Sequence, residues 1–130
     1  MQAGFRTSLV TEYLTGEYYR LVEPLVYYTE VINREIVVPV GFVTDLESVP
    51  RWFPLAYSYL GHTSRRGGAI HDYLYRRDSD PIVGRAIADA VYREICGCVG
   101  NSSVQGWLKW CGVRAGGIGS YHKRVVAWEP

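Results

Sequence analysis

The chain is short of most of the residues that announce a special environment. It has a single Met, three Phe, three His and three Cys in 130 residues, and no apolar run approaches the ~20 residues needed to cross a bilayer as a helix. The cysteines, Cys96, Cys98 and Cys111, are odd in number, and no His or further Cys stands at metal spacing around Cys96-Gly97-Cys98. That argues against a disulfide framework and against a zinc site, and leaves small buried or half-buried thiols. There is almost no excess of charge: 14 Lys and Arg against 13 Asp and Glu give a net +1, so a nucleic-acid binder working by bulk electrostatics is not expected. The opening MQAGFRTSLVTEYLT has no apolar stretch of the signal-peptide kind, which leads us to expect a protein made in the cytoplasm.

What is present is ordinary globular composition, 48% hydrophobic and 21% charged, enough for one domain over residues 1–130 with a proper core. Eleven Tyr and four Trp suit either a packed aromatic core or a contact surface. The first third is strand-like. Ser8–Leu14 and Glu17–Val22 flank Thr15-Gly16 as a hairpin would, with Gly16 supplying the positive φ of the turn. After the break at Glu23-Pro24, Leu25–Val31 and Glu35–Val40 pair around Asn33-Arg34. The expected fold class is therefore α+β: a small antiparallel β meander over about residues 7–40, followed by a bundle of about four helices.

The first of those helices follows GFVTDLESVPRWFPLAY, where Ser48 ahead of Pro50 is a capping signal for a helix running toward Leu60, short or kinked at Pro54. Asp45 is either a turn or cap residue or a group pointing from a sheet-to-helix loop into a site. The central feature is the stretch from Arg65 to Asp89, which reads as a helical hairpin. Ser79 or Asp80 followed by Pro81 marks a start, so one helix ends near Arg77 and the next runs from Pro81 to Val99. In an antiparallel pair turning there, His71 lies beside Asp89 and Tyr75 beside Arg85. A carboxylate facing a His fixes its tautomer and stabilises its imidazolium, which is how a general base is oriented.

The helical wheel puts His71 on one face with Gly67, Gly68, Leu74 and Tyr75, and Arg66, Tyr73 and Arg77 on the other. Asp72 lies to one side, where it either pairs with Arg76 a turn on or joins Asp45 in an oxygen shell for a cation such as calcium. Arg85, Asp89 and Arg93 follow a four-residue step, as a solvated salt-bridge stripe does. Their face also carries Ile82, Ala86, Tyr92 and Cys96, however, and a helix covered there would bury Asp89 and oblige it to find a partner. A last helix from Ser103 to about Arg114 presents Trp107, Leu108, Trp110 and Cys111. The tail, residues 116–130, returns to a sheet edge or orders only against a partner.

Three stretches in this order, GFVTDLESVPR, AIHDYLYR and RAIADAVYREI, resemble the signatures of a phage and prophage family known as domain of unknown function 1353. The positions that carry the resemblance are Gly41, Phe42, Thr44, Asp45, Ser48 and Pro50, then His71, Asp72, Leu74 and Tyr75, then Arg85, Ala88 and Asp89. It spans about residues 36–115. It implies a phage origin, with synthesis in the host cytoplasm and incorporation in the virion, in the tail or baseplate region, among other virion proteins or copies of itself.

A second resemblance concerns chemistry. Phospholipase A-two enzymes carry an H-D-x-x-Y helix whose His activates water, whose adjacent Asp binds calcium and whose partner Asp comes from an antiparallel helix. His71, Asp72, Tyr75 and Asp89 are similar to that set, although the disulfides of the secreted enzymes are absent and residues 60–68 are a poor image of their calcium loop. Two functions are therefore expected. The first is a virion structural or accessory component in which Asp45, Ser48, Arg51 and Arg85 form a bracing network. The alternative is a small metal-assisted hydrolase acting on host envelope lipid or cell wall, with a His71-Asp89 dyad, Tyr75 beside it and a cation held by Asp72 and Asp45.

Overall fold

The computed structural model describes residues 2–16, 18–44, 46, 65–76, 78–99 and 103–116. Six short strands come first: β1 (Gly4–Phe5), β2 (Thr11–Tyr13), β3 (Tyr19–Leu21), β4 (Leu25–Thr29), β5 (Arg34–Val38) and β6 (Val43–Thr44). Three helices follow among the described residues, α1 (Arg65–Leu74), α2 (Arg85–Cys98) and α3 (Ser103–Gly116).

Both expected hairpins form. Gly16 turns β2 into β3 at φ 61°, and Asn33 turns β4 into β5 at φ 53°, the left-handed conformation that Gly and Asn adopt most readily. Strand β4 alternates strictly, with Leu25, Tyr27 and Thr29 buried, and its register places Leu25 opposite Val38 and Tyr27 opposite Ile36 on the same inward face. That alternation is the period-2 signal of a half-buried strand.

The single meander is corrected. The chain forms two three-stranded antiparallel sheets, ordered β1-β4-β5 and β2-β3-β6. Glu23-Pro24 interrupts the ladder between the two hairpins, and each hairpin then recruits its third strand from outside the strand-like run. Gly4–Phe5 pairs with β4, and Val43–Thr44 pairs with β3. Two-residue strands carry no periodicity of their own, so only the pairing defines them. The Thr7 hydroxyl holds the crossing, donating to the Pro24 carbonyl at 3.1 Å and accepting from the Val26 amide at 2.9 Å.

The bundle of about four helices is corrected as well: three helices are described, and α1 packs between α2 and the strands β5 and β6 rather than in a bundle. The helix expected from residue 49 or 50 to residue 60 and the tail beyond residue 116 lie outside the described residues. Helix α2 begins at Arg85, not at Pro81. Ser79 is not a helix cap; its hydroxyl donates to the Pro81 carbonyl at 2.9 Å across a turn with a cis Asp80–Pro81 bond, and Gly84 is extended at ψ 159°. The proline signal marks the turn, a place that suits proline as well as a first helical turn does.

Because α1 is covered on two sides, Tyr73 is buried although the wheel put it opposite His71. Its ring meets Phe42 edge-on at 5.5 Å, and its oxygen accepts from the Asp80 amide. One core cluster runs from Leu21, Leu25, Tyr27, Ile36 and Val38 of the sheets to Ile70 and Leu74 of α1 and Val91 and Ile95 of α2. Where α1 crosses α2, Gly67 leaves no room: a methyl there would sit 2.9 Å from Ile95 Cγ2 and 3.3 Å from Tyr92. Two helices meeting this closely need a residue without a side chain at the contact.

Candidate functional site

The site is built around one carboxylate. Asp89 is wholly buried on α2, with no exposed surface. Its Oδ1 accepts from His71 Nε2 at 2.7 Å and from the Tyr75 hydroxyl at 2.5 Å. Its Oδ2 accepts from Arg114 Nη1 at 3.1 Å, and Arg85 Nη1 lies 3.8 Å away. The expected opposition of α1 and α2 is what produces this: partners rise in number along one helix as they fall along the other, from Gly67 with Tyr92 and Ile95 to His71 with Asp89. Tyr75 sits just past the end of α1, where its amide still donates to the His71 carbonyl, so its hydroxyl reaches the same oxygen as the ring one turn earlier. Arg85 also acts on the Tyr75 hydroxyl, opposing the rise in its pKa, which is the second pairing expected of the hairpin.

Arg114 was not anticipated. It lies in the last turn of α3, where a basic residue reads as a partner for the helix dipole; no sequence signal tied it to residue 89. Its backbone contributes too. Carbonyls in the last turn of a helix have no intrahelical partner, and the Arg114 carbonyl is capped by Arg85 Nη1 at 2.7 Å. The carboxylate on α2 thus binds side chains from the α1 end and from α3. Of the face proposed to cover it, Tyr92 and Cys96 are buried, whereas Ile82 is 68% exposed and Ala86 also faces solvent.

The electrostatics follow from these contacts. Burial by itself pushes the Asp89 carboxyl upward, but the hydrogen bonds from His71, Tyr75 and Arg114 outweigh it and hold the group below the usual carboxylate range. Asp89 is therefore an anion and an acceptor at neutral pH. Burial pushes the Tyr75 hydroxyl well above its ordinary range, and the Asp89 charge pushes it further, so Tyr75 keeps its proton and donates. Facing an anionic acceptor, His71 donates from Nε2, and in the neutral imidazole Nδ1 is then the nitrogen with the lone pair. Among the described residues no group engages Nδ1; the ring's other neighbours are the faces of Tyr75 at 4.2 Å and Tyr92 at 5.1 Å.

Asp72, the next residue, is part-buried and directed elsewhere. Burial raises its carboxyl above the ordinary range, while the nearby Arg76 charge and a hydrogen bond from the Thr44 hydroxyl oppose the rise. The ion pair with Arg76 is not a contact. Arg76 donates instead to the Val43 carbonyl at 2.9 Å and lies over the Phe42 ring. Thr44 Oγ1 also accepts from the Leu46 amide, so the G-F-x-T stretch is fastened to α1 through Phe42, Val43 and Thr44. Asp45, Ser48 and Arg51 lie outside the described residues. Among the described residues no three His, Cys, Asp or Glu side chains converge. Asp72 offers one carboxylate to a calcium ion, with a guanidinium close by and its hydroxyl neighbour already engaged. Among the described residues that donor set falls short of the oxygen-rich shell calcium requires.

A family model described as protein of unknown function (DUF1353) matches residues 19–113. The chain belongs to this family. All the expected site residues, from Asp45 to Asp89, lie inside the match, and Arg114 falls one residue beyond it. No curated protein and no solved structure matches the chain. No described helix is long and apolar enough to cross a membrane.

Proposed function

We propose that this DUF1353 chain is a hydrolase in which His71 Nδ1 is the general base. The observation that carries the reading is the pairing of a buried, ionised Asp89 with His71 Nε2 while Nδ1 has no partner among the described residues. A water or hydroxyl nucleophile at Nδ1 would give up its proton there, and Asp89 would stabilise the imidazolium without taking a proton itself. Tyr75, Arg85 and Arg114 would hold the carboxylate in place, so that the ring cannot turn. Correspondence with the H-D-x-x-Y helix supports an ester-type bond in an envelope component, lipid or cell wall, as the substrate. The three-motif resemblance supports a phage-encoded, virion-associated setting.

A second reading has its own observation. Asp89 gathers groups from beyond α1 and from α3 as well as His71, which is what an internal brace of a virion subunit would do. Two measurements separate the readings. Nitrogen-15 spectra of histidine-labelled protein should show His71 protonated at Nε2 and bare at Nδ1 at neutral pH, and a panel of ester, phospholipid and cell-wall substrates should show turnover that His71→Ala abolishes without loss of folding. The opposite tautomer, or turnover retained in His71→Ala, removes the hydrolase reading.

A further inference from the structure

A cleft of about 250 Å³ lies on the other side of α1 from the dyad's partner helix, between residues 39–43 and the end of α1. Its walls are Pro39, Val40, Gly41, Phe42 and Val43 on one side and Tyr73, Arg76 and Asp78 on the other. We infer that this cleft binds a small oxyanion, a carboxylate or a phosphate carrying a short apolar group, through the guanidinium of Arg76.

Among the described residues Arg76 is the one cation in that wall. It is held at two points, by donation from Nη2 to the Val43 carbonyl at 2.9 Å and by stacking at 4.7 Å over Phe42, which in turn meets Tyr73 edge-on. A guanidinium presents five donors in a planar fork, and a single one of them is engaged among the described residues, so an edge suited to bidentate capture of an oxyanion remains. Held in this way, the side chain has little rotamer freedom left to lose on binding. Among the described residues no carboxylate lies within ion-pair distance of it; Asp72 acts on it through space and is itself committed to Thr44. Asp78 in the same wall opposes an anion, and its exposure to water weakens that opposition without abolishing it. Pro39, Val40 and Phe42 supply the apolar wall against which a short aliphatic group packs. The volume is just under the ~300–1,000 Å³ of drug-sized ligand pockets, which suits a small molecule and not a polymer.

Anion capture at Arg76 is independent of the His71 chemistry and is tested by binding alone. The full-length protein is titrated at low ionic strength with sodium butyrate, inorganic phosphate and butyl phosphate, followed by amide chemical shifts and calorimetry. The expected result is saturable binding that moves the Gly41, Phe42 and Val43 amides, weakened at least tenfold in Arg76→Gln and changed less than twofold in Arg93→Gln, an exposed guanidinium on Trp110. Asp78→Asn should tighten it. Preference for butyrate or for butyl phosphate assigns the anion as carboxylate or phosphate. If Arg76→Gln does not fold, Arg76→Lys keeps the charge without the fork and should still weaken binding at least threefold. Absence of saturation with all three anions, equal affinity in the folded Arg76 variant, or shifts confined to other parts of the chain would overturn it.

Discussion

Asp89→Asn is the perturbation on which the site stands or falls. The substitution preserves shape and removes the charge at the buried centre of three donors and a nearby guanidinium. Losing one partner of a buried, hydrogen-bonded ion pair costs ~3–5 kcal/mol when the other is left stranded. Here the two stranded guanidiniums are not sealed in: the Arg85 and Arg114 side chains are 24% and 33% exposed, so they regain water and the lower end of that range, about 3 kcal/mol, applies. For a chain of this length that corresponds to a fall in Tm of roughly 10–15 °C.

The pH dependence carries the sharper test. Asp89 titrates below the usual range in the folded protein, while in the unfolded chain it titrates near the ordinary value of about 3.9. Its contribution is therefore fully present above that unfolded value and is lost as pH falls through the folded one. Urea denaturation of parent and variant from about pH 7 to about pH 3 should show a stability gap that is constant near neutrality and closes in acid. A gap below ~1 kcal/mol at neutral pH, or one that does not change on acidification, would refute the claim that an ionised Asp89 is the centre of the network.

Other consequences can be read with the same assay. Tyr75→Phe removes one donor to Asp89 and should destabilise by about 1–2 kcal/mol, leaving the His71 tautomer unchanged in nitrogen-15 spectra. Gly67→Ala forces a methyl against Ile95 and Tyr92; overpacking of ~1–3 kcal/mol exceeds the ~1 kcal/mol gained in helix propensity, so the midpoint in urea should fall. Asp72 has the opposite sign from Asp89: its folded-state affinity for a proton is raised by burial, so its ionisation opposes folding as pH rises above the ordinary carboxylate range, and Asp72→Asn should be the more stable protein at neutral pH. Millimolar calcium should leave both melting temperatures in place; a rise in the parent that is lost in Asp72→Asn would make Asp72 a cation ligand after all.

The helical hairpin was legible because helix geometry is local. A turn at residues 79–81 and a four-residue step on each side are enough to place His71 against Asp89 and Tyr75 near Arg85; the first pair is hydrogen-bonded and the second interacts electrostatically. The burial of Asp89 was partly legible, since Tyr92 and Cys96 share its face. Where sequence pattern misled, the deciding interactions were distant along the chain. The side of α1 that carries Tyr73 looked free on a wheel because nothing in that segment announces that β5 and β6 will cover it. Asp72 and Arg76 look like a pair at i and i+4, yet each finds a better partner some thirty residues earlier, Thr44 for one and the Val43 carbonyl for the other.

By itself, then, the sequence determined the two hairpins, the turn between the helices, the His-Asp pairing and the family, all of which rest on short-range periodicity or on ordered motifs. Only the tertiary structure decided that the strands divide into two sheets, since two-residue strands exist through their partners and not through a pattern. It alone brought Arg114 from the last turn of α3 onto Asp89 and turned Arg76 away from Asp72 into a cleft. Side chains so far apart in the chain meet only after the core has packed, and the cost of leaving a buried charge or carbonyl unsatisfied selects among the groups then within reach.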